Sequence, residues 1–249
     1  MRSFLLAALV LLAACADEPD TQTDVPAPAE TASPAPAPPA SGEAQACTSV
    51  PDSESDTLTV VFFGDSLTAG YGLANPDEQA YPALVEAKAR ADGMPVRVVN
   101  AGNSGETTAG GLRRVRWVLG TTRPDVFVLA LGGNDGLRGL APDAMQDNLA
   151  AIFDCVREAA PEAALALAGM EAPPNMGPDY TARFRAVFPA VAAAFDAAHV
   201  PFLLEGVGGV ARLNQADGVH PTAEGQRVMA ETVWQALAPV LERAARERV

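Results

Sequence analysis

The 249-residue chain has two histidines, and one of them, His220, stands three residues after Asp217 in Asp217-Gly218-Val219-His220-Pro221. On a tight turn that spacing lets the Asp217 carboxylate reach the imidazole Nδ1–H. The carboxylate then fixes the tautomer that leaves Nε2 free as a base. A base needs a proton to take, and Gly64-Asp65-Ser66-Leu67-Thr68 offers a serine directly after a β-branched and aromatic run. At such a strand-to-helix turn the Ser66 hydroxyl can be exposed at the sheet edge, where a helix N-terminus favours developing negative charge. Two more segments offer donors. Gly105, within Asn103-Ser104-Gly105-Glu106-Thr107, lacks a Cβ and can bring a backbone N–H close to a substrate. Asn134, within Gly132-Gly133-Asn134-Asp135-Gly136, carries a side-chain NH₂. Nucleophile, base, orienter and oxyanion donors are what acyl transfer needs. Singly, each has a plainer explanation: a helix cap at Ser66, tight turns at the Gly/Asn runs, a surface histidine before a proline. The other histidine, His199 in Ala197-Ala198-His199-Val200-Pro201, has no polar company at a helix end and reads as structural.

These segments must be carried by elements that bring them together. Apolar runs of strand length occur at Leu58 to Phe63, Val96 to Val99, Val126 to Leu131, Leu165 to Ala168 and Phe202 to Leu204. Stretches of helical composition fall between them: Tyr81 to Ala91, Gly110 to Leu119, Pro142 to Ala159 and Thr181 to Ala198, with a last one from Pro221 to the C-terminus. In the third, Leu149, Ile152, Phe153 and Val156 share one face, and Pro142 suits a first helical turn. This alternation predicts a parallel α/β sheet covered by helices on both faces. In such sheets chemistry gathers at the carboxyl ends of the strands. Those are the loops that hold Ser66, Gly105 and Asn134.

Taken in order, Gly64-Asp65-Ser66-Leu67, Gly105, Asn134 and His220 resemble the S, G, N and H blocks of the SGNH (GDSL) hydrolases, and the chain is identified as a member of that family. Gly132-Gly133-Asn134-Asp135-Gly136-Leu137-Arg138-Gly139 is similar to the third block of its bacterial acyl-CoA thioesterase I/protease I/lysophospholipase branch and the related arylesterases. Val98-Val99-Asn100-Ala101, Ser104-Gly105-Glu106-Thr107 and Ala172-Pro173-Pro174-Asn175 resemble that branch too. The likeness runs over about residues 58 to 240. It implies a flavodoxin-like three-layer α/β/α sandwich with a five-stranded parallel sheet. It also implies a Ser66–His220–Asp217 triad and an oxyanion hole made by the Ser66 N–H, the Gly105 N–H and the Asn134 side chain. The implied chemistry runs through an acyl-serine without metal or cofactor. Ala216-Asp217-Gly218 stands where the family often has Asp-Asp-Gly, and the orienting aspartate is kept. Hydrolysis of carboxylic esters or thioesters is therefore expected. O-deacetylation of an envelope polysaccharide is the enzymatic alternative, and a non-catalytic envelope binding protein is the other.

Composition limits the partners. The chain is 49% hydrophobic with a formal net charge of −14, which suits one α/β domain and disfavours phosphate backbones. Nucleic acid is thus not an expected partner, whereas a small acyl ester or a lipid is. The chain is expected to act as a monomer. Arg2 and the apolar stretch from Phe4 to Leu12 read as a signal segment too short to span a bilayer. Leu12-Ala13-Ala14-Cys15 resembles a lipobox, which would make Cys15 a lipidated N-terminus of an exported, envelope-attached protein. Ala16, not Asp, follows Cys15, which by resemblance to the lipoprotein sorting rule of enteric bacteria leans towards the outer membrane. Residues 1–15 are therefore expected to be a signal, residues 16–46 a proline- and alanine-rich linker, and residues 47–249 the hydrolase domain. Cys47 and Cys155 would remain as an even pair in an oxidising compartment, either bridged or as two free thiols.

Overall fold

The computed structural model describes residues 56–248, all within the second of the chain's two units, Met1–Ala44 and Gln45–Val249. The expected signal, Cys15, the linker and Cys47 lie outside the described residues. Five strands, β1 (Leu58–Gly64), β2 (Val96–Gly102), β3 (Val126–Ala130), β4 (Ala164–Ala168) and β5 (Ala198–Val200), form one sheet in the order β2-β1-β3-β4-β5. Every pairing is parallel. The chain goes from β1 to β2 on one side and then crosses to β3 on the other. This reversal leaves a crevice at the carboxyl ends of β1 and β3, the ligand position in open α/β sheets.

Every residue of β1 is buried, because it is paired on both edges and covered on both faces. Its alternating side chains serve two layers. Phe62 meets Tyr81 of α3 (Tyr81–Ala91) edge-on, with ring centroids 5.5 Å apart. Phe63 stacks on Phe127 of β3 at 5.6 Å and lies under α4 (Thr108–Thr121) beside Gly111. On that second side α4 packs on α6 (Pro142–Ala159), which packs on α7 (Pro178–Ala194). On the first side α3 packs on α8 (Ala223–Glu247). The short helices α1 (Ser66–Ala69), α2 (Pro76–Gln79) and α5 (Gly133–Leu137) complete the three-layer sandwich.

Helix α6 has the expected bounds and buries Met145, Leu149, Ile152, Phe153 and Val156. Cys155 on the same helix is a free, buried thiol. The fifth strand differs from expectation. It is Ala198–Val200, which contains His199, and not the run Phe202 to Leu204. Ala197 and Ala198 have helical composition, and the strand is only three residues long with a partner on one edge. Its extended state therefore comes from the register with Ala166, Leu167 and Ala168. Leu203 is buried in a turn instead. Helix α7 accordingly stops at Ala194, four residues before the expected end. Helix α8 starts at Ala223, because the Thr222 hydroxyl caps it by accepting from the Gly225 N–H. Among the described residues no helix is long and apolar enough to cross a membrane.

Candidate active site

Ser66 opens α1 directly after β1, the strand that pairs with both β2 and β3. The turn is tight because Gly64 has no side chain: a Cβ there would lie 2.0 Å from Thr68 Oγ1 and 2.8 Å from the Ala130 carbonyl. Asp65 caps α1, its Oδ1 accepting from the Leu67 N–H at 3.0 Å. The amides of a helix's first turn have no acceptor within the helix, which leaves the Ser66 N–H available to a ligand. From below, Thr68 Oγ1 bonds to the Tyr81 hydroxyl at 2.8 Å. Gln226 of α8 accepts from Tyr81 N–H and donates to the Leu67 carbonyl. The Ser66 turn is therefore anchored to α3 and α8.

The second half of the site comes from the loop before α8. The Gln215 N–H donates to the His220 carbonyl at 2.7 Å and the Thr222 N–H to the Leu213 carbonyl at 2.8 Å, which closes residues 215–220 into a hairpin-like turn. Gly218 within it has φ 70°. Asp217 Oδ1 accepts from the N–H groups of Val219 and His220 at 2.9 and 3.0 Å, and Asp217 Oδ2 lies 2.7 Å from His220 Nδ1. The backbone and side-chain bonds from His220, with help from Val219, pull the Asp217 carboxyl down to about 2. It is thus an ionised, acceptor-only group, and Nδ1 must carry the ring proton in the neutral imidazole. That leaves Nε2 as the acceptor facing Ser66 Oγ, 2.9 Å away. Tyr71 lies against the imidazole with centroids 4.6 Å apart. Gln215 Nε2 holds the Tyr71 carbonyl at 2.7 Å, so the histidine turn is fastened to the chain just after α1.

The donor segments are tied to the same centre. Asn134, in the first turn of α5, donates from Nδ2 to Asp65 Oδ2 at 3.2 Å. Gly105 lies between β2 and α4 with φ 77°, in the left-handed region where a side chain is strained. A Cβ there would meet only Arg138 Nη2, at 3.9 Å, so the glycine serves the backbone conformation and not packing. Arg138 donates to the Gly105 carbonyl at 3.0 Å. Buried Asp135 accepts from the Thr108 N–H at 2.9 Å and its hydroxyl at 2.6 Å, which locks α5 to the start of α4. Beneath the Gly105 turn, Glu106 pairs with Arg114 and accepts from Asn103 Nδ2. Sequence reasoning did not single out Asp65, Glu106, Asp135, Arg114 or Tyr71. The first three stand in the connections that follow strands, where carboxylates are usually solvated, so their residue types gave no signal of burial.

Ser66, His220 and Asp217 form one hydrogen-bonded line, Asn134 is bound to the residue before Ser66, and Gly105 is joined to α5. Among the described residues no group of three His, Cys, Asp or Glu side chains is placed to hold a metal ion. The arrangement can deprotonate a serine hydroxyl and present amide donors beside it. Residues 62–228 match the GDSL-like lipase/acylhydrolase family. The chain is 46% identical to esterase TesA of Pseudomonas aeruginosa over 187 residues, 75% of this chain and 90% of that protein. It is 35% identical to the thioesterase 1/protease 1/lysophospholipase L1 of Escherichia coli, over 75% of this chain and 86% of that one. The crystal structure of TesA superposes with a TM-score of 0.69 at 44% identity, covering 73% of this chain and 99% of the other. By motif order, site geometry and these likenesses, the chain belongs to the GDSL-like lipase/acylhydrolase family.

Proposed function

We propose that the protein is a serine hydrolase of carboxylic esters and thioesters, acting through an acyl-Ser66 intermediate. The observation that carries this reading is the continuous line from the Asp217 carboxylate through His220 to Ser66 Oγ, at 2.7 and 2.9 Å. Ser66 Oγ attacks the acyl carbon while its proton passes to His220 Nε2. Asp217 stabilises the imidazolium. The carbonyl oxygen becomes an oxyanion, and its donors are the Ser66 N–H, the Gly105 N–H and Asn134 Nδ2. As the C–O or C–S bond breaks, the Nε2 proton goes to the leaving group. Water, deprotonated by the same nitrogen, then attacks the acyl-serine, frees the acid and restores Ser66.

The acyl group is read from the rim. Among the described residues the exposed large apolar side chains are Tyr71, Trp117, Leu137, Leu140 and Val219. All but Trp117 lie in the segments that carry the site: beside His220, or just after Asn134. Exposed apolar groups in the segments that carry a reactive centre suit a hydrocarbon chain better than an acetyl group or a sugar. Each methylene removed from water contributes about 0.8 kcal/mol, roughly a fourfold gain in kcat/KM. In a p-nitrophenyl ester series from acetate to palmitate, run beside a lysophospholipid, kcat/KM is expected to climb steeply from acetate before levelling off. A maximum at acetate would instead favour the O-deacetylase reading.

An envelope location fits the same substrates, because CoA thioesters are scarce there while lysophospholipids and other acyl esters are at hand. The reading rests on Leu12-Ala13-Ala14-Cys15 and on the proline-rich stretch up to residue 46, a spacer between a lipid on Cys15 and the hydrolase domain. Cys15→Ser is expected to abolish lipid incorporation and release the protein from membranes with its specific activity unchanged. Mass spectrometry of the protein from its native host, if it found no acyl group at Cys15, would end this reading.

A further inference from the structure

Beside the reactive serine lies a charged group that the acyl-transfer steps do not use. Asp65 is 4% exposed, and each carboxylate oxygen has its own partner. Oδ1 accepts from the Leu67 N–H at 3.0 Å and Oδ2 accepts from Asn134 Nδ2 at 3.2 Å. The first bond is an ordinary helix cap, which an asparagine or serine could make equally well. The second is not a capping bond. It runs from the end of β1 to the end of β3, across the crevice where the sheet reverses, and it ends on a nitrogen with a second hydrogen to give. An amide can turn over, exchanging its NH₂ and its oxygen, and the two faces have nearly the same shape. A group that only accepts, placed against one side, decides which way it lies.

We propose that Asp65 is a positioning residue whose carboxylate holds the Asn134 amide with its nitrogen towards the reacting centre, so that the second N–H faces the oxyanion. This assignment rests on the reading of Ser66 as nucleophile and Asn134 as oxyanion donor. It explains why a charge is kept where a neutral cap would serve. An asparagine at position 65 could still cap α1 through its oxygen. Its NH₂ would then oppose that of Asn134, and the Asn134 amide would turn and set its carbonyl oxygen against the oxyanion.

Burial has a consequence for pH. Loss of solvation raises the Asp65 carboxyl to about 6, against the bonds from Leu67 and Asn134 and the charge of His220, while Asp135 on α5 pushes it further up. Tyr81 of α3 is the remaining titratable group that faces it, and burial raises its hydroxyl far above neutrality. Below about pH 6, Asp65 takes up a proton and no longer dictates the Asn134 amide.

The test compares Asp65→Asn, Asn134→Ala and the double variant with the wild type, using a p-nitrophenyl ester and a fluorophosphonate that labels the nucleophile. Asp65→Asn is expected to lower kcat by about 10²-fold or more with KM changed less than about threefold, the pattern of a lost oxyanion donor. It should melt no lower than the wild type at pH 8, since it removes a buried charge. In the Asn134→Ala background the same change is expected to alter kcat by less than about threefold, because its route of action is gone. Multiplicative losses, or wild-type kcat in Asp65→Asn, overturn the assignment. The wild type supplies a test that needs no change at position 65. On the acid side, log kcat should steepen below about pH 6 towards a two-proton slope, whereas Asn134→Ala should keep a one-proton slope. Equal slopes in the two proteins also overturn it. If the wild type turns over ester but is labelled at another serine, the nucleophile reading has failed. If Ser66 is labelled and the kinetic pattern is absent, only the positioning role has failed.

Discussion

Ser66→Ala is expected to lower ester hydrolysis by about three orders of magnitude or more while the protein stays folded. Triad members act as a unit, so loss of the nucleophile removes nearly all that the three residues provide together. Ser66 Oγ bonds to His220 Nε2, and the turn around it is held by the Asp65 cap, the Thr68–Tyr81 bond and the two bonds from Gln226. Removal of one hydroxyl from that frame leaves the frame intact. The melting temperature should therefore move little. A fluorophosphonate should label the wild type at Ser66 and leave the variant unlabelled. Labelling of another serine in the variant would reassign the nucleophile. The orienter sets an acid limit of its own. Asp217 is drawn down to about 2 from the ordinary 3.8, so its contribution to the native turn is in full force above pH 3.8 and is lost as the pH falls through about 2. Between those values and neutrality the carboxylate stays ionised, and activity lost there has another source.

The candidate triad was legible because its residue types are scarce or unusually placed. With two histidines in the chain, Asp217 three residues before one of them singled out His220, and the serine after a strand-length apolar run stood out against it. The sheet was legible for a related reason: buried parallel strands read as unbroken apolar runs, and β1 to β4 do. β5 was hidden because a three-residue edge strand owes its conformation to its neighbour, while Ala197 and Ala198 suit a helix equally well. The polar frame was hidden for a different reason. Asp65, Glu106 and Asp135 are charged letters in loops, which usually means solvent. Only the fold reveals that each is buried against a partner, 69 residues away for Asp65 and 27 for Asp135, or eight for Glu106. Such pairing leaves no periodic trace.

Asn134→Ala is the second large effect expected: kcat lower by about 10² to 10³, with a smaller change in KM. The negative charge on the former carbonyl oxygen is greatest in the tetrahedral intermediate, so a donor aimed there contributes more to the transition state than to the bound ester. Asn134→Asp should be at least as harmful, since it sets an acceptor and a like charge against both the oxyanion and Asp65. The plainer explanation, that Asn134 caps its own turn, fits the structure poorly. The N-cap of α5 is Gly132, no side chain caps that helix, and the Asn134 amide is directed to Asp65 instead. Stability should follow from that bond. Asp65 already has its carboxyl raised by burial to about 6, and the Asn134 bond opposes the rise. Without it the ionised form is harder still to bury. A group with a raised native pKa favours the fold below its unfolded value, and that advantage is lost as the pH rises through the native one. The variant's deficit in melting temperature should therefore be largest near pH 8 and shrink below about pH 6, as Asp65 becomes neutral. A hundredfold-scale loss in kcat, with a stability deficit that fades on acidification, identifies an oxyanion donor bonded to a buried carboxylate. A deficit independent of pH with kcat near wild type would return Asn134 to a structural role.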